Sequence, residues 1–234
     1  MTPYSMAWVW VAFFAARLLL IDWACGRPSA DLGIFYAHAE TWLNGAVPYR
    51  DFPVEYPPGA LLIVTLPGLL SGDFGFYRLL FYLLNLVADV AIVATLLSHD
   101  DGRGTVAAWL YIVASTAMLD VFIHRFDVWP TLVTLIGFRF WAAGKRPTAA
   151  ALLSIGAAIK LWPALLLPLL FIESHRRGGV RESTRTLLAV GAGSAVIGLP
   201  FLLVCGWPLF RFLGAIASHG LLPESLYGSL LLVL

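Results

Sequence analysis

Charged residues are scarce in this sequence. They make up 12% of its 234 residues, whereas hydrophobic residues make up 60%. Ordinary soluble domains carry roughly 25% charged residues. A chain of this composition has too little polar surface to cover its apolar side chains in water. The composition therefore predicts an all-α integral membrane protein and argues against a water-soluble domain.

The sequence also lacks the marks of several binding classes. Its net charge is +1, so no overall field attracts nucleic acid. No glycine-rich phosphate loop follows a strand, which argues against nucleotide binding. The two cysteines, Cys25 and Cys205, do not have metal-ligand spacing, and we interpret both as unpaired. We expect no nucleic-acid partner and no required cofactor.

Long apolar runs recur along the chain. A helix needs about 20 apolar residues to cross a bilayer. The runs are 6–23, 59–70, 77–97, 105–119, 128–143, 148–172, 187–207 and 226–234. They predict a polytopic transmembrane helix bundle that forms one membrane domain over residues 1–234. The run 226–234 is too short to cross, and we expect that the natural chain continues or that this copy is truncated.

Basic residues collect at Lys145-Arg146 and within 175–185. Because cytoplasmic loops carry an excess of Lys and Arg, we predict that both clusters are cytoplasmic. This requires the run 148–172 to enter the membrane and return. Lys160 and two prolines interrupt that run, and broken helices are tolerated at membrane depth where they line a cavity. We predict two short helices that meet at residues 159–163, and a segment 59–70 that does not cross fully.

The longest polar stretch, residues 24–58, is predicted to be the first extracytoplasmic loop. Within it, residues 32–43 have apolar and aromatic side chains at helical spacing, which predicts a helix lying in the membrane interface. Ser29 or Asp31 would be its N-cap, and Gly45 would end it. Phe35, Ala39 and Trp42 lie roughly on one face of this helix, with His38 and Thr41 beside it.

Several polar residues have two interpretations. Asp31 is either a helix cap or a functional carboxylate. Lys160 is either a snorkelling residue at a helix end or a functional cation, since an intramembrane lysine is costly. Glu55 and Asp127 could bind a divalent cation or orient an acceptor, or they could form a salt bridge with Arg125.

Polar residues also occur inside the predicted spans. We expect Asp22 to pair with Arg17 or Arg27 near the end of the first span. Asn85 and Asp89 lie four residues apart on one helix face, which favours a polar contact between helices over a functional site.

An ordered series of motifs runs through the chain. In the loop it comprises Asp31, Tyr36, Asn44-Gly45, Pro48-Tyr49 and Glu55-Tyr56-Pro57-Pro58; later it comprises His124-Arg125-Phe126-Asp127-Val128-Trp129-Pro130, the small-residue segment 149–158 and Ile159-Lys160-Leu161-Trp162-Pro163. The series resembles the polyprenyl-phosphate-sugar-dependent glycosyltransferases with the C-type membrane fold. It is most similar to the bacterial mannosyltransferase-like members of glycosyltransferase family 87, over about residues 1–185.

The resemblance implies a membrane glycosyltransferase of the bacterial plasma membrane with an extracytoplasmic active site. It would move a sugar, expected to be mannose, from a polyprenyl-phosphate donor to a lipid or glycan acceptor with inversion. An alcohol is a weak nucleophile until a base takes its proton, and the resemblance assigns that task to Asp31.

The leaving phosphate needs fixed cations. The predicted substrate-binding residues are Glu55, Tyr56, His124, Arg125, Asp127 and Lys160. No metal is required, although Glu55 and Asp127 could hold a divalent cation.

Two other functions compete with the enzyme. A transporter or lipid flippase also uses broken helices and buried charge, but the sequence has no internal repeat that pairs two halves. A non-catalytic membrane subunit is the third reading. If Asp31 faces a cavity opposite Lys160 or Arg125, the enzyme is favoured. If Asp31 caps a helix and points to open water, the enzyme is disfavoured.

Overall fold

The structure is a computed structural model of the 234-residue chain, and it describes residues 3–98 and 102–218. The described residues form ten α-helices: α1 (Pro3–Cys25), α2 (Ala30–Leu43), α3 (Pro58–Thr65), α4 (Phe74–Leu97), α5 (Arg103–Ala117), α6 (Leu119–Ile123), α7 (Val128–Ala142), α8 (Arg146–Ile159), α9 (Leu167–Cys205) and α10 (Arg211–Ser218). Short 3-10 helices occur at Pro67–Leu69, Trp162–Leu166 and Trp207–Phe210. The predicted all-α class is confirmed.

Within the described residues, three stretches are long and apolar enough to cross a membrane. They are Met6–Cys25, Phe74–Leu97 and Trp162–Cys205. In α1, Leu18 and Leu19 are 65% and 72% exposed, whereas the neighbouring Arg17 is 2% exposed. Apolar residues on the outside and a charge on the inside are the arrangement that a lipid surround requires. The fold is therefore that of a polytopic membrane protein; the run 226–234 lies outside the described residues.

The predicted loop helix is present as α2. Ser29 is its N-cap, since its side chain accepts a hydrogen bond from the backbone N–H of Leu32. Its buried face includes Phe35 and Ala39, and α2 packs on α3 and α4. Gly45 follows its C-terminus with φ 96°, a left-handed conformation that glycine adopts at little cost. Because Ser29 caps the helix, the Asp31 carboxylate is available for other contacts.

The predicted break in the run 148–172 is also present. α8 ends at Ile159, and Lys160 has extended backbone angles of φ −151° and ψ 134°. A continued α-helix would need the N–H of residue 163 to bond the carbonyl of Ile159, and Pro163 has no N–H. The break therefore follows from the position of one proline, and it leaves Lys160 at the end of α8.

Beyond the break, α9 folds back on itself. Gly179 has non-helical angles of φ 60° and ψ −153°. The hydroxyls of Ser174 and Thr186 are 3.0 Å apart, although twelve residues of straight helix would span about 18 Å. The element is thus a helical hairpin, and the apolar stretch Trp162–Cys205 is not one straight span.

The return of the chain at the break brings the basic clusters together. The Nε of Arg146, at the start of α8, lies 3.9 Å from the Oε1 of Glu182. Trp141 donates a hydrogen bond to Glu173 at the same end of the bundle. The chain therefore runs from this basic end to the break and returns, as predicted. The side of the membrane on which this end lies stays a prediction.

The expected pairing of Asp22 with Arg17 is wrong. Arg17 Nε instead lies 2.5 Å from Asp89 Oδ2 on the facing helix α4, and both side chains are buried. Arg17 also donates to Ser115 and Thr116 of α5. A charge inside a membrane bundle is stabilised most by a partner that is buried with it. The predicted interhelical contact of Asn85 is confirmed by the 3.1 Å bond that it accepts from Trp129 Nε1.

Candidate active site

A cavity of about 470 Å³ opens at the end of the bundle opposite to the basic clusters. Its charged and phenolic lining residues are Asp31, Glu55, Tyr56, Arg125, Asp127 and Lys160. Residues from the loop, the link before α7 and the break after α8 therefore meet at one place. The remaining lining residues are apolar or aromatic, namely Ile34, Phe35, Pro57, Phe126, Leu161, Trp162 and Ile216. We call this space the first cavity.

The first ion pair in the cavity joins Asp31 and Arg125. Arg125 Nε donates to Asp31 Oδ2 over 3.0 Å, across 94 positions of sequence. Asp31 stands in the first turn of α2, and Arg125 follows α6 in the non-helical link to α7. The amide of Asn85 bonds the backbone carbonyl of Arg125 at 3.1 Å and so holds this link against α4. Asp31 faces the cavity with a cation opposite, which is the arrangement that favours an enzyme.

The second ion pair joins Asp127 and Lys160. The Lys160 ammonium lies 2.6 Å from Asp127 Oδ1 and 5.7 Å from the centre of the Phe126 ring. Asp127 directly precedes α7, and Lys160 occupies the break after α8. Asp127 is thus held by Lys160, and Arg125 is paired with Asp31. All four charged side chains of these pairs are between 28% and 41% exposed, so a ligand in the cavity can reach them.

Glu55 and Tyr56 enter the cavity from the extended end of the loop. The buried Tyr49 donates its hydroxyl to the backbone carbonyl of Tyr56 over 2.8 Å, and the Tyr56 ring packs on Phe126. Burial, assisted by the nearby carboxylates of Asp31 and Glu55, raises the pKa of Tyr56 to about 12. The phenol therefore stays protonated at neutral pH and can donate a hydrogen bond.

His124 lies away from the cavity. It is buried 5.9 Å from the Tyr82 ring and 6.5 Å from the Trp23 ring, behind the link that carries Arg125. Among the described residues that line the cavity, His124 is absent. The geometry thus gives no support to its predicted contact with substrate, because successive side chains of a non-helical link point in different directions.

The sequence allows one metal site, in which Glu55 and Asp127 would hold a divalent cation. Both line the cavity, and Asp127 is paired with Lys160. Over residues 3–98 and 102–218, no group of three His, Cys, Asp or Glu side chains is placed to hold a metal ion. A cation held by the two carboxylates stays a prediction.

Two residues outside the predicted site set support the shape of the site. Tyr49 adopts φ 63°, a left-handed conformation that costs energy for a tyrosine, while it holds Tyr56. Gly59 lets α3 approach α8 directly before the break, since a Cβ there would lie 2.7 Å from the carbonyl oxygen of Ala158. The Pro57-Pro58-Gly59 sequence marks a helix start. It carries no signal of which helix lies opposite.

The chain was compared with protein families, with curated proteins and with solved structures. None of the curated proteins and none of the solved structures matches this chain. The sequence profile of Glycosyltransferase family 87 matches residues 54–230. The matched region contains Glu55, Arg125, Asp127 and Lys160 and begins after Asp31. Because the match covers more than half of the chain, this protein belongs to glycosyltransferase family 87 and is a glycosyltransferase.

Proposed function

We propose that this protein transfers mannose from a polyprenyl-phosphate donor to a hydroxyl of a lipid or glycan acceptor, with inversion. The observation that carries the proposal is the first cavity, which combines a candidate base, two cations and an apolar wall. Each of these parts answers one requirement of the reaction.

Asp31 is the proposed general base. The acceptor oxygen attacks the anomeric carbon as the bond from that carbon to the phosphate oxygen breaks. The Asp31 carboxylate takes the hydroxyl proton, and the bonding electrons leave with the polyprenyl phosphate. Attack from the face opposite to the phosphate inverts the anomeric carbon. A single carboxylate is sufficient for this one-step displacement.

Arg125 and Lys160 are the proposed phosphate ligands. A leaving phosphate gains negative charge, which fixed cations stabilise in a site that excludes water. In the structure these cations hold Asp31 and Asp127 in partly exposed pairs, and such pairs are worth little, about 0–1 kcal/mol. A donor phosphate can therefore take both cations. When Arg125 moves to the phosphate, the Asp31 carboxylate becomes available for the acceptor proton.

The apolar part of the wall suits the prenyl chain. Ile34, Trp162 and Ile216 line the cavity and remain between 38% and 48% exposed. An isoprenoid chain that packs on this surface keeps apolar contacts of the kind it makes in lipid. Tyr56 stands beside the charged pairs as a neutral donor for a sugar hydroxyl.

The proposed location is the cell membrane, with the first cavity on the extracytoplasmic side. This orientation rests on the basic clusters at the opposite end of the bundle, which the excess of Lys and Arg in cytoplasmic loops favours on the inside. α8 separates the two ends by about 20 Å.

The test is mannose transfer by the purified protein in liposomes. Labelled polyprenyl-phosphate-mannose is supplied with membrane lipid extract, and the anomeric configuration of the product reports inversion. Asp31→Asn should reduce transfer at least about a hundredfold, because the amide cannot take the proton. Glu40→Gln is the control, since Glu40 is an exposed carboxylate of the same helix.

Two outcomes contradict the proposal. Full transfer activity of Asp31→Asn would show that Asp31 is not the general base. Transfer from a nucleotide-linked mannose, without turnover of the lipid-linked donor, would remove the assigned donor class.

A further inference from the structure

Asn85 is a buried amide in the membrane-crossing stretch of α4, where it is 6% exposed. Its Nδ2 donates a hydrogen bond to the backbone carbonyl of Arg125 over 3.1 Å, and its Oδ1 accepts one from the Nε1 of Trp129 over 3.1 Å. An amide at membrane depth is costly unless its donor and its acceptor both find partners. Both partners of Asn85 lie in one short segment, residues 125–129, which leads from α6 into α7.

The segment 125–129 supplies one member to each ion pair of the first cavity. Arg125 pairs with Asp31, and Asp127 pairs with Lys160. Asp127 lies between the two residues that the amide bonds, so the amide holds the segment on both sides of it. One side chain of α4 thus restrains the backbone from which a member of each pair projects.

The orientation of the Asn85 amide follows from its partners. A carbonyl can only accept a hydrogen bond, and an indole N–H can only donate one. The donor end of the amide must therefore face Arg125, and the acceptor end must face Trp129. Exchange of the two ends would lose both bonds. A side chain fixed in this way can hold the backbone at Arg125 in one position.

Packing behind the segment is incomplete. A second, much smaller cavity of about 10 Å³ lies there, and Asn85, Ile123 and Val128 are among its lining residues. Such a space admits about one water molecule. Residues 124–127 are not helical, so helical backbone bonds do not hold Arg125. The hydrogen bonds of Asn85 are therefore a direct restraint on the backbone at Arg125.

We propose that Asn85 is a positioning residue for the transfer reaction and acts through Arg125. It sets where the Arg125 guanidinium stands relative to the leaving phosphate. A cation that is already in place stabilises the developing charge without reorganising during the reaction. The inference rests on the proposed function, in which Arg125 binds the phosphate, and adds a residue that lies outside the first cavity.

Asn85→Leu tests the positioning, because leucine has a similar size and makes neither bond. The purified full chain in liposomes is supplied with labelled polyprenyl-phosphate-mannose and membrane lipid extract. The maximal transfer rate should fall about ten- to a hundredfold, since a displacement of about 1 Å in a reacting site has an effect of this order. The half-saturating donor concentration should rise by a smaller factor, because the phosphate gains charge only as the bond breaks.

Tyr77→Phe is the matched control. Tyr77 is another buried residue of α4, and its hydroxyl donates to the backbone carbonyl of Val64 over 2.8 Å. The variant therefore removes a buried hydrogen bond from α4 to a backbone carbonyl but leaves the segment 125–129 untouched. Its maximal transfer rate should equal that of the parent.

A double-mutant cycle separates positioning from general stability. If Asn85 acts through Arg125, Asn85→Leu should hardly lower the rate further in a chain that already carries Arg125→Gln. A merely structural role would reduce the rate by the same factor in both backgrounds. Trp129→Phe is a second variant, since it removes only the indole donor and keeps an aromatic ring. Its effect should be smaller and should also vanish in the Arg125→Gln background.

The possible failures are distinguishable. Equal maximal rates of Asn85→Leu and Tyr77→Phe would overturn the inference, and so would equal rate losses with and without Arg125→Gln. In both cases the packing of Val128 on Ala88 and Ile92 would hold the segment by itself, and the proposed function would survive. If the parent does not consume the lipid-linked donor, the proposed function fails, and the inference fails with it.

Discussion

The ion pair between α1 and α4 and the ion pairs of the first cavity differ in burial. Arg17 and Asp89 are 2% and 3% exposed, and hydroxyls of α5 complete their hydrogen bonds. The pairs that line the first cavity are about a third exposed. A buried pair cannot exchange partners without leaving a charge unpaired. We therefore interpret the buried pair as structural and the cavity pairs as open to a ligand.

Lys160 provides a test of the open pairs. Lys160→Met keeps the length of the side chain but removes its charge, so the half-saturating concentration of polyprenyl-phosphate-mannose should rise about tenfold or more. Lys160→Arg should retain part of the activity, because the charge survives in a different shape. Initial transfer rates against donor concentration measure both effects.

Lys145→Met is the matched control for this test. Lys145 also lies over a phenylalanine ring, 5.6 Å from the centre of Phe140, but at the basic end of the bundle. If Lys160→Met has the same initial transfer rate as the parent at limiting donor concentration, Lys160 is a snorkelling anchor. Arg125 must then hold the phosphate.

Arg17 provides a test of the buried pair. Arg17→Met leaves the Asp89 carboxylate buried without its cation, and such a loss typically costs about 3–5 kcal/mol of unfolding free energy. The double variant Arg17→Met with Asp89→Leu should lose less, because no isolated charge remains. Unfolding in detergent micelles, followed by circular dichroism, measures both. Equal stability of the single variant and the parent would contradict the structural interpretation.

At the scale of elements, close helix contacts place the break that carries Lys160. α8 packs against both arms of the α9 hairpin, and α3 approaches it at Gly59. Gly193 in the second arm lies so close to α8 that a Cβ would be 2.4 Å from the carbonyl oxygen of Ala151. Small residues allow such backbone contacts between membrane helices. The position of Lys160 thus depends on glycines in other elements.

The pair Gly193→Ala and Gly191→Ala tests this packing. A methyl group at residue 193 must push α9 away from α8, which should lower the unfolding free energy by about 1–3 kcal/mol. Residue 191 has open space around its position, so Gly191→Ala should be neutral or gain roughly 0.5–1 kcal/mol from helix propensity. Thermal unfolding in detergent compares the two variants. Equal effects at both positions would refute the close contact.

At the scale of the whole molecule, the bundle has two distinct ends. The first cavity lies at one end, and the basic clusters lie at the other, where Arg146 approaches Glu182. The side of the membrane on which the first cavity lies determines which substrates can reach it. If the basic end is cytoplasmic, the sugar must arrive on a carrier that already faces outward.

Labelling of single cysteines tests the orientation. Cys25 and Cys205 are first replaced by alanine, and a cysteine is then placed at the exposed residues Asn44, Ala143 or Arg176. In intact cells an impermeant thiol reagent should label the cysteine at 44 and leave those at 143 and 176 unlabelled. The reverse pattern would place the first cavity inside. Different labelling at 143 and 176 would contradict the return of the chain at the break after α8.

The sequence by itself determined the class of the fold and the positions of its interruptions. Composition and apolar runs identify a helical membrane protein, because the bilayer stabilises continuous apolar helices whichever helices they pack against. The break at Lys160 and the cap at Ser29 are likewise local, since a proline without an N–H and a serine hydroxyl act on residues within one turn.

Only the tertiary structure decided which charges meet. Asp31 lies 94 positions from Arg125, and Arg17 lies 72 positions from Asp89, so no local periodicity relates the partners. Arg17 and Asp22 are close in sequence, but the packing of α1 on α4 pairs Arg17 with Asp89 instead. Distant contacts also explain why the side chain of Arg125 lines the first cavity and that of the adjacent His124 does not. Side chains of an irregular link take their directions from the surfaces packed around them, and those surfaces come from distant parts of the chain.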